Sequence, residues 1–177
     1  MPITGIQPSV LVEIQRQMNH EYGAAHAYTA LAMWCDDRNL KGFARFFHKQ
    51  SDEEREHAPR FADHLLNRGA SPELAALPAP RTKFESPLEV AEHARTMEQL
   101  NTKGIHQVYE AAIKAGDLQA QVALQWFINE QVEEEAWCDE MLDRVEATSG
   151  SAIGLMALDR HIERYLTEKS HEGGEEG

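Results

Sequence analysis

FARFFHKQSDEEREHAPRFADHLL, residues 43–66, carries Phe43, Phe47, Gln50, Glu54, His57, Phe61 and Leu65 at steps of four and three residues. That is the spacing of one face of an α-helix, and specifically of the inward stripe of a bundle helix. Side chains at i and i+3 share a face, so the Glu54 carboxylate and the His57 imidazole of Glu54-Arg55-Glu56-His57 project together among phenylalanines. A charge on such a stripe is costly to bury unpaired, by several kcal/mol even after relaxation. A salt bridge, a hydrogen-bonded core histidine or a metal ion would answer that cost, and one E-x-x-H does not decide between them.

Working outward, the same helical spacing fills most of the chain. A first helix over about 9–38, opening at Ser9 after Pro8, has the stripe Ile14, Met18, Glu21, Ala25, Tyr28, Ala32, Cys35. The second runs over about 42–68 and closes on Arg68-Gly69. A short polar break separates the two, which makes them antiparallel neighbours. Residues 69–87 contain Pro72, Pro78, Pro80 and Pro87 and show no helical period. Extended, they reach roughly 55 to 60 Å, more than the approximately 40 Å of the second helix. They can therefore cross the whole bundle and let the third helix run parallel to the second. That third helix starts at Ser86-Pro87, ends near Ala115-Gly116, and has the stripe Ala91, Ala94, Glu98, Asn101, Ile105, Val108, Ala112. Asp117 caps a fourth, over about 118–147, with Ala120, Leu124, Phe127, Gln131, Glu134, Cys138, Met141 and Val145 inward. A short fifth helix, about 152–166, places Leu155, Leu158, Ile162 and Tyr165 on one side.

The expected architecture is all-α: a four-helix bundle with a long second-to-third crossover and a short C-terminal helix. With 177 residues, 42% hydrophobic, one domain over residues 1–167 suffices, followed by a disordered acidic tail over 168–177. Thirty acidic against 17 basic residues give a net charge of -13, which disfavours nucleic acid and anionic membrane as partners and attracts cations. No apolar run approaches the roughly 20 residues of a membrane span, and no basic-then-apolar leader opens the sequence, so a cytoplasmic protein is expected. Cys35 and Cys138 form no C-x-x-C pair and lie on apolar stripes, as buried reduced thiols would.

Each long helix thus carries a stripe glutamate near its middle: Glu21, Glu54, Glu98 and Glu134. Mid-helix positions reach the same level in parallel and antiparallel neighbours, so the four should meet. No lysine or arginine lies on these stripes, leaving protonation in a hydrogen-bonded polar core, or two divalent cations, to offset the repulsion. Oxygen-rich ligands with one imidazole suit Fe2+ or Mn2+ better than a sulfur-preferring ion, with Zn2+ a competitor.

Gln17-Met18-Asn19-His20-Glu21-Tyr22, Asp52-Glu53-Glu54-Arg55-Glu56-His57, Met97-Glu98-Gln99-Leu100 and the stretch Leu124 to Glu135 (LQWFINEQVEEE) resemble the bacterial non-haem ferritins, over about Val10 to Tyr165. The resemblance implies a di-iron centre in which Glu21, Glu54 and His57 hold one iron and Glu54, Glu98 and Glu134 the other, with Glu54 bridging and Gln131 beside the second. It implies a third iron site from Glu53, Glu130 and Glu133 with Glu134, for which a solvated acidic helix face is the alternative. Tyr28 matches the family's tyrosine beside the centre, and Trp126 is a second candidate electron donor; as bare patterns both are also ordinary packing aromatics.

Bacterioferritin would want a second E-x-x-H where Trp137 follows Glu134, and a haem-binding methionine where Arg55 stands, so no haem is expected. Rubrerythrin would need a C-x-x-C iron domain. Starvation-type mini-ferritins place their ligands between subunits, whereas this set is complete in one chain. The departure is Pro59, two residues after His57, which removes the hydrogen bond to Arg55 and predicts a kink. The implied function is iron storage: Fe2+ oxidised by O2 or H2O2, and ferric oxide kept inside a 24-subunit homo-oligomeric cage. Leu155, Leu158 and Ile162 would then lie at the fourfold contacts, or simply pack across their own bundle end. A di-iron or di-manganese oxidase without storage, and a non-catalytic helical scaffold, are the rival readings.

Overall fold

Apolar stripes at helical spacing must find one another, and they do so in five helices: α1 Pro8–Asp37, α2 Lys41–Asn67, α3 Pro87–Ala115, α4 Leu118–Ala147 and α5 Ala152–Thr167. The structure, a computed structural model, describes residues 5–167; the predicted acidic tail lies outside the described residues. Among the described residues there is no strand, and no helix is long and apolar enough to cross a membrane. α1 packs most extensively on α2 and α3 on α4, with α1 against α3 joining the two pairs. The fold is the predicted four-helix bundle with an added C-terminal helix.

Local chemistry sets the ends. Ser86 Oγ accepts from the Glu89 N–H at 3.2 Å, and Pro87 occupies the first turn of α3, where its missing N–H is not needed. α3 stops at Gly116, whose φ of +64° is the left-handed cap that glycine adopts without strain. α1 begins earlier than expected: Gln7, not Ser9, is the N-cap, because Pro8 takes the first helical position. Asp117 accepts from the Ala120 N–H at 3.0 Å and takes Arg68 Nη1 on both oxygens at 2.7 Å. The Arg68 Nη2 donates to Gly5 O at 2.9 Å, so one partly buried ion pair ties the end of α2, the start of α4 and the N-terminal segment together.

The crossover docks along α1. Gln15 and Asn19 make a ladder with its backbone: Gln15 Nε2 to Ser71 O at 3.1 Å, Glu73 N to Gln15 Oε1 at 3.0 Å, Asn19 Nδ2 to Glu73 O at 2.9 Å and Ala75 N to Asn19 Oδ1 at 2.8 Å. Near the other end of α1, Trp34 Nε1 donates to Phe84 O at 3.2 Å. The segment therefore travels the length of α1 and delivers α3 parallel to α2.

Pro59 does not end α2, which is continuous through it. Both Pro59 and Arg55 are exposed, so the carbonyl that loses its partner is on the solvent side of the helix. At the far end, α5 covers the start of α2. Gly42 permits this: a Cβ there would come within 1.8 Å of Asp159 O, and the Phe43 N–H donates to Asp159 Oδ1 at 3.0 Å. Leu158, Ile162 and Leu166 are buried in the chain's own core. Leu158 and Ile162 thus pack across their own bundle end, the alternative the sequence left open. Tyr165, expected on the same side, instead lies at the exposed edge under the Arg144 guanidinium, because the stripe continues to Leu166.

Replacing Asp117 by Ala removes a helix cap and the carboxylate that Arg68 grips, so it should lower stability by about 2 kcal/mol in chemical denaturation. Asp117→Asn, which keeps the cap, should lose less.

Candidate metal centre

The buried apolar residues form two clusters rather than one. Tyr28, Phe46, Phe47 and Trp137 belong to the cluster near α5, and Ile14, Met18, Phe61 and Phe127 to the other. Between them the stripes turn polar. Glu21, Glu54, Glu98 and Glu134, one from each long helix, are at most 4% exposed, and His57, Gln131, Gln17, Asn101 and Gln50 are buried with them. The buried polar residues among those described include no lysine or arginine.

Glu21, Glu54 and His57 come together as the spacing predicts. His57 Nδ1 lies 3.2 Å from Glu54 Oε2 and 3.9 Å from Glu21 Oε2, and ligand atoms from all three residues fall within 4.8 Å of one another. Glu98 and Glu134 fall outside that spacing, and each is held by aromatic donors. The Tyr28 hydroxyl donates to Glu98 Oε1, Gln131 Nε2 donates to Glu98 Oε2 at 3.1 Å, and the Trp137 indole N–H donates to Glu134 Oε2. The His57 ring meets Trp126 edge-on at 5.3 Å, and Arg60 stacks on the other aromatic system at 3.8 Å from the Trp126 centroid.

Burial dominates the acid–base behaviour. It pushes the Glu54 carboxyl well above its usual range, with Glu21 and Glu98 adding to the effect. Glu134 is raised in the same way, by burial and then by Glu98, against the pull of the Trp137 hydrogen bond. Glu98 is pushed up to about 7 by burial, opposed by its bonds from Tyr28 and Gln131. Burial lowers His57, keeping the imidazole neutral and its lone pair free for a metal. Four hard carboxylates and one neutral imidazole, with no resident cation, fit one or two divalent ions.

The second acidic group is less enclosed. Glu53 and Glu130 are half-buried and Glu133 is exposed. Glu53 accepts from Gln50 Nε2 at 2.6 Å and pairs with Lys49 Nζ at 3.3 Å. The Glu130 carboxyl is raised by burial and then by Glu133 and Glu53, so the three feel one another. Cys35 and Cys138 are buried, and burial raises both thiols, Cys35 to about 12.

Gln17 and Trp137 went unassigned at the level of sequence, and Asn101 was placed on a stripe without a role. Gln17 and Asn101 carried the same signal as the glutamates, a polar residue on a buried stripe. Trp137 registered there only as the absence of a histidine.

A family model described as a ferritin-like domain matches residues 12–148. Bacterial non-heme ferritins of Staphylococcus haemolyticus (strain JCSC1435) and Staphylococcus aureus (strain MRSA252) are each 40% identical over 157 residues, covering 89% of this chain and 95% of theirs. Among solved structures, an open pore ferritin from the archaeon Archaeoglobus fulgidus superposes with a TM-score of 0.88 at 31% identity, covering 90% of this chain and 98% of that one. An engineered closed form of the Archaeoglobus fulgidus ferritin gives 0.86 at 32%, over 89% and 96%.

A carboxyl raised by folding favours the protein when protonated. The contribution of Glu98 is present below about 4.5 and is lost as pH rises through about 7. The metal-free protein should therefore melt lower at pH 7.5 than at pH 5.5, and a saturating divalent cation should abolish that difference in thermal unfolding.

Proposed function

The chain belongs to the ferritin-like family, and from that premise we propose that it is an iron-storage ferritin with ferroxidase activity. The observation that carries this reading is the buried group Glu21, Glu54 and His57, set at one level with Glu98 and Glu134 in a core without a compensating cation. Iron is here the substrate. Glu21, Glu54 and His57 hold one Fe2+, Glu54, Glu98 and Glu134 the second, and Glu54 bridges them. Each Fe2+ gives up one electron, so that O2, with two protons, leaves as H2O2; H2O2 can itself serve as oxidant. What the protein supplies is two reductants fixed side by side, so that both electrons leave in one encounter.

Gln131 and Tyr28 orient Glu98 in this scheme, and Tyr28 is positioned to supply a further electron. Glu53, Glu130 and Glu133 form a third, looser position through which Fe3+ leaves for the mineral. Their half-exposed placement and the Lys49 pair fit weak, transient binding better than permanent retention. The functional particle is a 24-subunit homo-oligomeric cage in the cytoplasm, built from residues 1–167, with no haem. The Archaeoglobus fulgidus neighbours, described as an open pore ferritin and its engineered closed form, support a hollow assembly.

Aerobic addition of Fe2+ should give a fast rise in ferric absorbance that Glu54→Ala abolishes while leaving slow background oxidation. Equal fast phases would remove Glu54 from the bridge. Size-exclusion should show a large hollow particle; a small oligomer with an intact fast phase would favour a di-iron oxidase without storage.

A further inference from the structure

Glu21 stands out among the four glutamates because both its oxygens are held by carboxamides. Gln17 Nε2 donates to Glu21 Oε1 at 2.7 Å, and Asn101 Nδ2 donates to Glu21 Oε2 at 3.2 Å. The two amides are joined to each other, Gln17 Nε2 to Asn101 Oδ1 at 2.6 Å. Both residues are at most 1% exposed, one turn of α1 before Glu21 and one turn of α3 after Glu98. A buried amide is an expensive group unless every polar atom is used, so two of them in contact with one carboxylate make a directed arrangement.

Its direction comes from the surface. Arg16 Nη1 donates to Gln17 Oε1 at 3.3 Å, and Arg16 Nη2 donates to Gly104 O at 3.0 Å. A guanidinium has no acceptor, so it fixes which end of the Gln17 amide is oxygen and leaves the NH2 for Glu21 and Asn101. With its oxygen taken by Gln17, Asn101 in turn must present its NH2 to Glu21. The chain of donors runs one way, from the guanidinium to the carboxylate.

Gly104 makes the space. A Cβ at that position would lie 2.2 Å from Gln17 Oε1 and 3.2 Å from Arg16 Nη1. Glycine is a poor residue for a helix interior, and this one has helical backbone with no turn to serve, so clearance is its reason for being there.

We infer that Gln17 and Asn101, in the room left by Gly104, are positioning residues that fix Glu21 and thereby tune the metal position it shares with Glu54 and His57. The inference rests on the reading of Glu21 as a metal ligand. A carboxylate held at both oxygens offers the ion one orientation without reorganising, and partners that orient a ligand typically contribute 10–100-fold to metal affinity. Both amides bond Glu21 directly and Gln17 touches no other glutamate, so the effect falls chiefly on the Glu21 side. The second position, with Glu98 and Glu134, draws its main donors from Tyr28, Trp137 and Gln131, although Asn101 also reaches Gln131 Oε1 at 3.4 Å and bonds the Glu98 carboxyl.

The test uses the assembled full-length protein and Co2+, a redox-inert probe, followed by visible absorption and calorimetry. Gln17→Met keeps the volume and removes the donor; Gly104→Ala keeps every polar group and displaces the amide. Each should weaken one of the two Co2+ positions by roughly 10–100-fold and affect the other far less. The double variant should be no weaker than either single one, because both act through the same amide. Unchanged binding, equal weakening of both positions, or additive losses would overturn the inference, and Gly104→Ala decides the case alone if Gln17→Met does not fold. Glu21→Ala separates the two claims. If it removes the same position while the other variants do nothing, the positioning role fails. If it leaves both positions intact, the metal reading itself fails.

Discussion

Four glutamates buried at one level of a bundle repel one another, and much of the rest of the molecule can be understood as a response to that repulsion. Two unit charges about 4 Å apart cost about 4 kcal/mol even at the effective dielectric of a protein surface, and more inside. The described residues place no buried lysine or arginine among them. What it supplies is neutral donors: a tyrosine hydroxyl, an indole N–H and three carboxamides, each bonded to a carboxylate oxygen. Such donors orient carboxylates without cancelling their charge, so the attraction for an external divalent ion survives. A scaffold that only needed a polar core would be more stable with an arginine or a methionine in these places.

The level itself is enforced from outside the site. α2 and α3 run parallel because the crossover travels the length of α1, and the Gln15–Asn19 ladder holds it there by side chain to backbone bonds. Asp117 sets where α4 begins relative to the end of α2, since the carboxylate that caps one helix also grips Arg68 of the other. A slip of one residue in either joint would turn Glu98 or Glu134 about 100° away from the centre. The precision of the centre thus depends on polar contacts some distance from it.

The stripe glutamates and the crossover were legible in the sequence because both follow from periodicity: a carboxylate at a core position and a proline-rich gap longer than the helix beside it. What periodicity cannot show is which polar atom faces which. Spacing gives Gln17 and Asn101 no role, since their meaning lies in a contact between α1 and α3 that no spacing along one helix contains. The end of α5 was misjudged for a similar reason. Leu155, Leu158, Ile162 and Tyr165 satisfy the helical repeat as well as a stripe ending at Leu166 does, and only packing on Phe43 and its neighbours selects the latter. Pro59 predicts a kink from the backbone alone; its exposure and that of Arg55 put the lost hydrogen bond where water can replace it.

α2 and α4 carry corresponding pairs with different chemistry. His57 follows Glu54 by three residues and Trp137 follows Glu134 by three, and in both cases the ring nitrogen meets the Oε2 of the preceding glutamate. The imidazole, kept neutral by burial, has a lone pair to give a metal. The indole nitrogen has none and can only donate. One half of the centre therefore offers a nitrogen ligand, while the other is restricted to oxygen and has one of its carboxylates committed to a donor. Under the proposed function, two ions in such a site would not be equivalent: the α1/α2 half, with its nitrogen, would hold its ion more firmly, and the all-oxygen α3/α4 half would give a harder and more labile position. On the proposed function, an exchangeable second position beside a firmly held first one is the arrangement this asymmetry would produce.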